Sequence, residues 1–185
     1  PLKIENIYNE KDGINNICYS VFVDAKKDVW VGAYGELYKI SNGKLTKYKF
    51  RQEDFDENRV YGILEENKNQ LYLSFEGNGF GIFNKQTGDL KVINTAQGLP
   101  SKYIYRMIKD TEGNHWMTSY GEGIIRFRDT AFKIYDDTQG LPSKSVNAIV
   151  EWDGELLMAT NDGVFALDEH KKIRPITKSG AIKNL

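Results

Sequence analysis

Two histidines, one cysteine and a few paired carboxylates are the residues with which this chain could do nucleophilic, acid–base or metal chemistry. His115 directly precedes Trp116 in an apolar segment, and His170 lies in the turn-like stretch Asp168-Glu169-His170-Lys171-Lys172. Neither has ligand spacing with the other or with Cys18, so neither a zinc site nor a base-activated nucleophile is expected. Glu65-Glu66 and Asp136-Asp137 are adjacent in sequence. Neighbours on a strand point to opposite faces, so these pairs read as solvated surface and not as acid–base couples. Cys18 sits in Ile17-Cys18-Tyr19-Ser20-Val21-Phe22-Val23, where a small buried hydrophobe is expected, and a lone cysteine excludes an internal disulfide. Gly77-Asn78-Gly79-Phe80-Gly81 is glycine-rich, but strand patterns flank it and it opens no helix, so it lacks the helix N-terminus that binds phosphate. No catalytic residue, metal site or cofactor is expected.

Composition narrows the partners. Lys and Arg number 25 against 26 Asp and Glu, a net charge of −1, which gives no general attraction to nucleic acid or to an anionic membrane. No stretch approaches the roughly 20 apolar residues of a membrane-spanning helix. Eleven Tyr, nine Phe and 17 Gly, with β-branched residues set between Gly and Asn turns, favour sheet over helix.

The elements that must position any site come from a repeat. The large residue of one apolar segment falls at Trp30, Tyr72, Trp116 and Leu157, at spacings of 42, 44 and 41. Gly98-Leu99-Pro100-Ser101-Lys102 recurs as Gly140-Leu141-Pro142-Ser143-Lys144, 42 residues on and in phase. Each unit holds four short strand candidates; in the third they are Ile104–Asp110, His115–Ser119, Gly123–Arg128 and Phe132–Tyr135. No window holds a 3.6-residue period beyond two turns, so helix content near zero is expected. Four strands per unit at this period predict an all-β fold, a β-propeller of four consecutive four-stranded antiparallel blades. The blades span approximately 17–50, 59–94, 103–136 and 145–177. Trp30 and Trp116 share their position with Tyr72 and Leu157 and so belong to the core between blades. Trp152-Asp153, a dipeptide typical of another propeller group, falls in the turn between first and second strands.

The edges of the repeat carry a further expectation. Asn6–Gly13 matches Lys133–Gly140 in pattern, so residues 1–9 read as the outer strand of a preceding blade. Lys172–Ile176 already supplies the last unit's outer strand, and Ser179–Ile182 opens a crossing to a further blade. A piece of a longer array is the expectation, with a closed four-bladed ring as the competing one. An open stack exposes two apolar end faces, which favours self-association or cover by the remaining blades of a parent propeller.

Gly-Leu-Pro-Ser, an apolar strand ending in Asp or Glu, a Gly/Asn turn, a Trp strand and a Gly turn together resemble the two-component regulator propeller repeat. Gly98–Phe127 and Gly140–Leu167 match best; the second unit departs, with Phe55 to Asn58 in place of the Gly-Leu-Pro-Ser crossing. The resemblance covers nearly the whole chain. It implies the periplasmic sensor region of a Bacteroides-type hybrid two-component histidine kinase. Such a region would detect an oligosaccharide and regulate polysaccharide-utilisation genes, touching the membrane only through the parent protein. This segment itself would not be an enzyme.

An oligosaccharide site asks for aromatic plates flanked by amides, carboxylates or guanidinium groups on loops of one rim. In a propeller the loop after the second strand and the crossing to the next blade share a rim. The candidates there are Tyr34, Glu36, Arg59, Glu76, Asn78, Lys102, Tyr103, Tyr120, Glu122, Asn161 and Asp162. The same residue types also serve simply to make tight turns. A scaffold without its own ligand is the alternative. A streptogramin-lyase-like enzyme is a third reading, but it would need a rim histidine with metal-binding carboxylates, and neither histidine sits in such a loop.

Overall fold

The computed structural model describes residues 6–50, 59–128 and 131–176. Sixteen strands form four separate four-stranded sheets, each an antiparallel meander in chain order. The first sheet holds β1 (Cys18–Val23), β2 (Val29–Ala33), β3 (Glu36–Ser41) and β4 (Lys44–Lys49). The second holds β5 (Val60–Asn67), β6 (Gln70–Phe75), β7 (Phe80–Asn84) and β8 (Leu90–Ile93). The third holds β9 (Ile104–Lys109), β10 (His115–Ser119), β11 (Ile124–Arg128) and β12 (Ala131–Tyr135). The fourth holds β13 (Val146–Trp152), β14 (Glu155–Thr160), β15 (Gly163–Leu167) and β16 (Ile173–Pro175).

Successive sheets stack through their first strands, β1 on β5, β5 on β9 and β9 on β13. Comparable packing of β13 on β1 is absent among the described residues, so the four sheets form an open arc and not a closed ring. Residues 1–5, the crossing 51–58 and residues 177–185 lie outside the described residues, and with them the departing Phe55–Asn58 and the onward crossing at Ser179–Ile182. Of the expected leading strand, the described residues Asn6–Asn9 form no strand.

Each sheet is apolar on both faces, so the cores lie between blades. Trp30, Leu37, Val60, Leu73 and Phe75 fill the first junction. Tyr72, Phe80, Ile104 and Met117 fill the second, and Trp116, Ile124, Leu141, Ile149 and Met158 the third. Trp30 and Trp116 are fully buried, as their shared position requires. Both indole N–H groups donate to the aspartate six residues earlier, Trp30 to Asp24 at 3.0 Å and Trp116 to Asp110 at 2.7 Å. A buried indole needs such a partner, and the carboxylate in turn accepts backbone N–H groups of its own turn, at Asp28 and at Asn114.

The crossings explain the five-residue repeat. Asn94 and Asp136 cap short 3-10 turns (Thr95–Gln97, Asp137–Gln139) by the same reciprocal capping box, and Gly98 and Gly140 close them at φ +86° and +91°. The following Leu99 and Leu141 plug the cores. Ser101 Oγ then accepts from Tyr103 N–H, and Ser143 Oγ from Ser145 N–H, both at 3.2 Å. Asn9 and Gly13 build the same turn at the front, around Glu10–Asp12.

Two expectations are corrected. Cys18 is exposed, because β1 is the inner edge of its sheet and has no strand beyond it among the described residues. Trp152 ends β13 and is 70% exposed, not set in a turn; Asp153-Gly154, both at positive φ, make the two-residue hairpin turn instead.

Candidate functional site

The rim carrying the crossings is built from one three-position unit, hydrogen-bonded alike in the first three blades. The residue that enters each inner strand pairs through its carbonyl with the loop after the second strand. Tyr34 N–H donates to Ile17 O, Glu76 N–H to Arg59 O and Tyr120 N–H to Tyr103 O. Bridges between blades join the same positions, Tyr34 to Arg59 and Tyr120 to Ser145 of the fourth blade. Two residues further on, the inner strands carry Tyr19, Tyr61, Tyr105 and Asn147. The second position is tyrosine in three blades and asparagine in the fourth, whereas its companions differ: Ile17, Tyr19 and Tyr34; Arg59, Tyr61 and Glu76; Tyr103, Tyr105 and Tyr120; Ser145, Asn147 and Asn161.

Those side chains interact along the arc. Tyr19 and Tyr61 meet edge to face with centroids 5.5 Å apart, and Tyr61 and Tyr105 do the same at 5.3 Å. Edge-to-face rings at such distances attract through their quadrupoles. Arg59 forms an ion pair with Glu76, donates from Nε to the Tyr19 hydroxyl at 3.2 Å and lies 5.7 Å from the centre of that ring. Tyr61 OH reaches Glu76 Oε2 at 3.4 Å. Burial pushes the Tyr105 hydroxyl up, helped by Glu76 and by the neighbouring Tyr61, Tyr120 and Tyr103. In the fourth blade Asn147 Nδ2 donates to Asn161 Oδ1 at 3.0 Å. Below the tyrosine row, a cleft of about 390 Å³ opens on the inner strands, lined by Tyr19, Tyr61, Ile63, Arg106 and their neighbours.

Of the sequence candidates, Arg59, Glu76, Tyr103 and Tyr120 come together around this row, and Lys102 lies 5.1 Å over the Tyr103 ring. Tyr120 is 61% exposed. Tyr34 and Glu36 line a separate recess of about 290 Å³ with Asn16 and Lys49. Glu36 itself is buried: burial pushes its carboxyl up, but Lys47, Tyr38 and Asn16 outweigh that and hold it below the usual carboxylate range. It thus makes an internal ion pair with Lys47 at 2.7 Å, and burial with the adjoining Glu36 pushes Tyr38 up to about 12. Asn78 is half-buried beside Gly79, whose N–H donates to Lys102 O at 2.7 Å. Glu122, Asn161 and Asp162 sit further along, the last with its backbone N–H on Thr160 Oγ1.

Tyr19, Tyr61 and Tyr105 were not among the sequence candidates. They fall at spacings of 42 and 44, the same phase as Trp30, Tyr72 and Trp116, and that phase is the signal that finds them.

The opposite rim holds the histidines and the paired glutamates. Glu65 and Glu66 do point to opposite faces, but neither is simply solvated. Glu65 reaches the first blade, pairing with Lys85 and accepting Ala25 N–H at 2.8 Å; Glu66 reaches the third, pairing with Lys109 and His115. His115 is buried with its ring 5.0 Å from Tyr72, and His170 is exposed in its turn. No cluster of three His, Cys, Asp or Glu that could hold a metal occurs among the described residues.

Four stacked four-stranded meanders with a shared rim define the chain as part of a β-propeller, and comparison agrees: a WD40 propeller domain of Doa1 superposes at TM-score 0.66 over 85% of this chain and 53% of that one, with 10% identity. The extracellular domain of the hybrid two-component system BT4673 of Bacteroides thetaiotaomicron superposes at TM-score 0.72, with 19% identity over 85% of this chain and 24% of that chain. Among curated proteins, Histidine kinase P4 of Formosa agariphila is 25% identical over 142 residues, 72% of this chain. The chain spans only 10% of that kinase. No protein family's profile matches the sequence. No helix of the described residues is long and apolar enough to cross a membrane.

Proposed function

We propose that this chain is a non-catalytic, ligand-sensing set of propeller blades in a two-component sensor histidine kinase, held on the periplasmic side of the inner membrane. Its ligand is an oligosaccharide, and its output regulates polysaccharide-utilisation genes. The observation that carries this reading is the crossing rim, where one backbone frame, hydrogen-bonded alike in three blades, sets a row of tyrosines beside polar groups that change from blade to blade. Packing alone gives such positions no reason to collect tyrosines, a guanidinium, a carboxylate and amides. The similarity to a histidine kinase and to a two-component extracellular domain supports the signalling half. Calorimetric titration of the protein with oligosaccharides tests it: saturable binding is expected, and its absence from a folded protein would sink the sensing reading.

A second role is favoured by the two ends of the arc. Val21 and Val23 are 70% and 54% exposed on the first blade, and Val150 and Trp152 are 51% and 70% exposed on the fourth. Exposed β-branched and aromatic residues on a sheet face ask for cover. Further blades of the parent propeller supply it in the longer protein, and a second copy does so when the chain is alone. Sedimentation at rising concentration reads the second of these directly: a strict monomer throughout would count against cover by a second copy.

A further inference from the structure

The crossing-rim site leaves open which oligosaccharides it takes, and the charges in the cleft bear on that. Arg59 is neutralised by Glu76 and anchored on Tyr19, so it sets the ring positions and offers little net charge. Arg106 is different. It is exposed, lines the cleft on the inner strands, and spends one N–H on the Tyr61 carbonyl. No carboxylate lies within ion-pair distance of it among the described residues. A guanidinium carries five donors in a planar fork that fits a carboxylate or sulfate through two parallel hydrogen bonds. Fixing one N–H on Tyr61 O holds that fork against the tyrosine row without using it up. The other groups on the cleft wall are apolar or neutral, Ile63, Met107 and the rings of Tyr19 and Tyr61. A sugar ring placed there meets the side chains of Tyr19, Tyr61 and Arg106 together.

We infer that the cleft lined by Tyr19, Tyr61 and Arg106 binds an acidic saccharide, a sugar ring carrying a carboxylate or sulfate, with Arg106 as the residue that reads the charge. The assignment rests on the oligosaccharide-sensing reading and narrows it. Tyr61 holds two places in the site: its ring is the middle plate of the row and its carbonyl anchors Arg106.

The test uses matched probes, uronate and sulfated oligosaccharides beside their neutral counterparts of equal length, including a hexuronate trimer and its methyl ester. Titration of the purified protein is expected to give binding of at least one acidic member that is tenfold or more tighter than its neutral match. Arg106→Gln removes that preference, and Tyr61→Ala weakens the same ligand at least tenfold. Arg106→Lys keeps the charge but not the fork and falls between. Arg106 is exposed, so folding of its variants, read by circular dichroism, is expected to be unchanged. Equal binding of charged and neutral members, or an acidic preference untouched by Arg106→Gln, overturns the inference while leaving oligosaccharide sensing intact. Failure of every sugar, acidic and neutral, overturns both.

Discussion

The two rims of the arc are made from the same kinds of residues and use them oppositely. On the rim of the first turns, charged and polar groups close on one another in a pattern that recurs. Asp24 and Asp110 each take an indole N–H and their own turn, and Glu65 and Glu151 reach 40 residues back to the backbone N–H of Ala25 and Thr111. On the crossing rim the backbone pattern and one tyrosine per blade recur in the first three blades, and the residues around that tyrosine do not. Charged groups that recur together with their partners hold the blades together, whereas around the recurring tyrosines the neighbouring polar groups change from blade to blade. The contrast also separates two fates for a carboxylate: Asp24 is locked in the structure, whereas Glu76 orients Arg59 and Tyr61 at an open surface.

The largest effect that would break the contrast lies on the locked rim. Lys85 is buried and its ammonium is held by Asp24 at 2.9 Å and by Glu65. Asp24→Ala leaves Lys85 with Glu65 alone and strands the Trp30 indole N–H and the Lys26 and Asp28 backbone N–H groups, and a loss of ~3 kcal/mol is expected in urea unfolding. Trp116→Ala, which empties the third core, is expected to cost about the same. A fall in stability of under about 1 kcal/mol for either, too small for stranded buried N–H groups or an emptied core, would contradict the locked rim.

Acid should find the same place. Burial pushes the Asp24 carboxyl up, but the Trp30 indole, Lys85 and the Asp28 backbone outweigh it and bring it from 3.8 to about 2. A carboxyl lower in the folded state stabilises fully above its unfolded value and loses that contribution as pH falls toward its folded one. Stability is therefore expected to drop between about pH 4 and pH 2, following the shift from 3.8 to about 2, with a shallower drop in Asp24→Asn. Thermal melts across that window check it, and parallel slopes for the two proteins would count against the assignment.

On the crossing rim the expected effects on folding are small. Tyr120→Ala and Asn161→Ala, at exposed positions, should shift stability by no more than ~0.5 kcal/mol. A larger loss would move those residues from recognition to scaffold. Smallest of all is Tyr135→Phe. Tyr135 packs on Trp116 with centroids 5.3 Å apart, and its buried hydroxyl finds no hydrogen-bond partner among the described residues. Removing an unsatisfied buried hydroxyl is expected to be neutral or slightly stabilising in the same melts.

Much of the scaffold is legible in the sequence because it repeats. The four strands of the third unit fall within a residue or so of their expected bounds, and the tryptophan positions read as core for the reason that puts them there. Three-residue 3-10 turns have no period of their own, so the crossings read as Gly-Leu-Pro-Ser strings without their shape. Contacts between blades escape a local reading altogether: Glu65 and Glu66 look solvated until Lys85 from the same blade and His115 from the next arrive beside them. Tyr19, Tyr61 and Tyr105 were hidden for a related cause. Each lies in an apolar run that reads as core, and only the stacking of inner strands turns three separate tyrosines into one row.

The most direct test of that row is tyrosine-resolved NMR during titration with the oligosaccharide that binds tightest. Shifts are expected first at Tyr19, Tyr61, Tyr105 and Tyr120 on the crossing rim, with Tyr38 and Tyr72 unmoved. Shifts centred on Tyr72 and His115 at the opposite rim, with the inner-strand tyrosines still, would contradict the account.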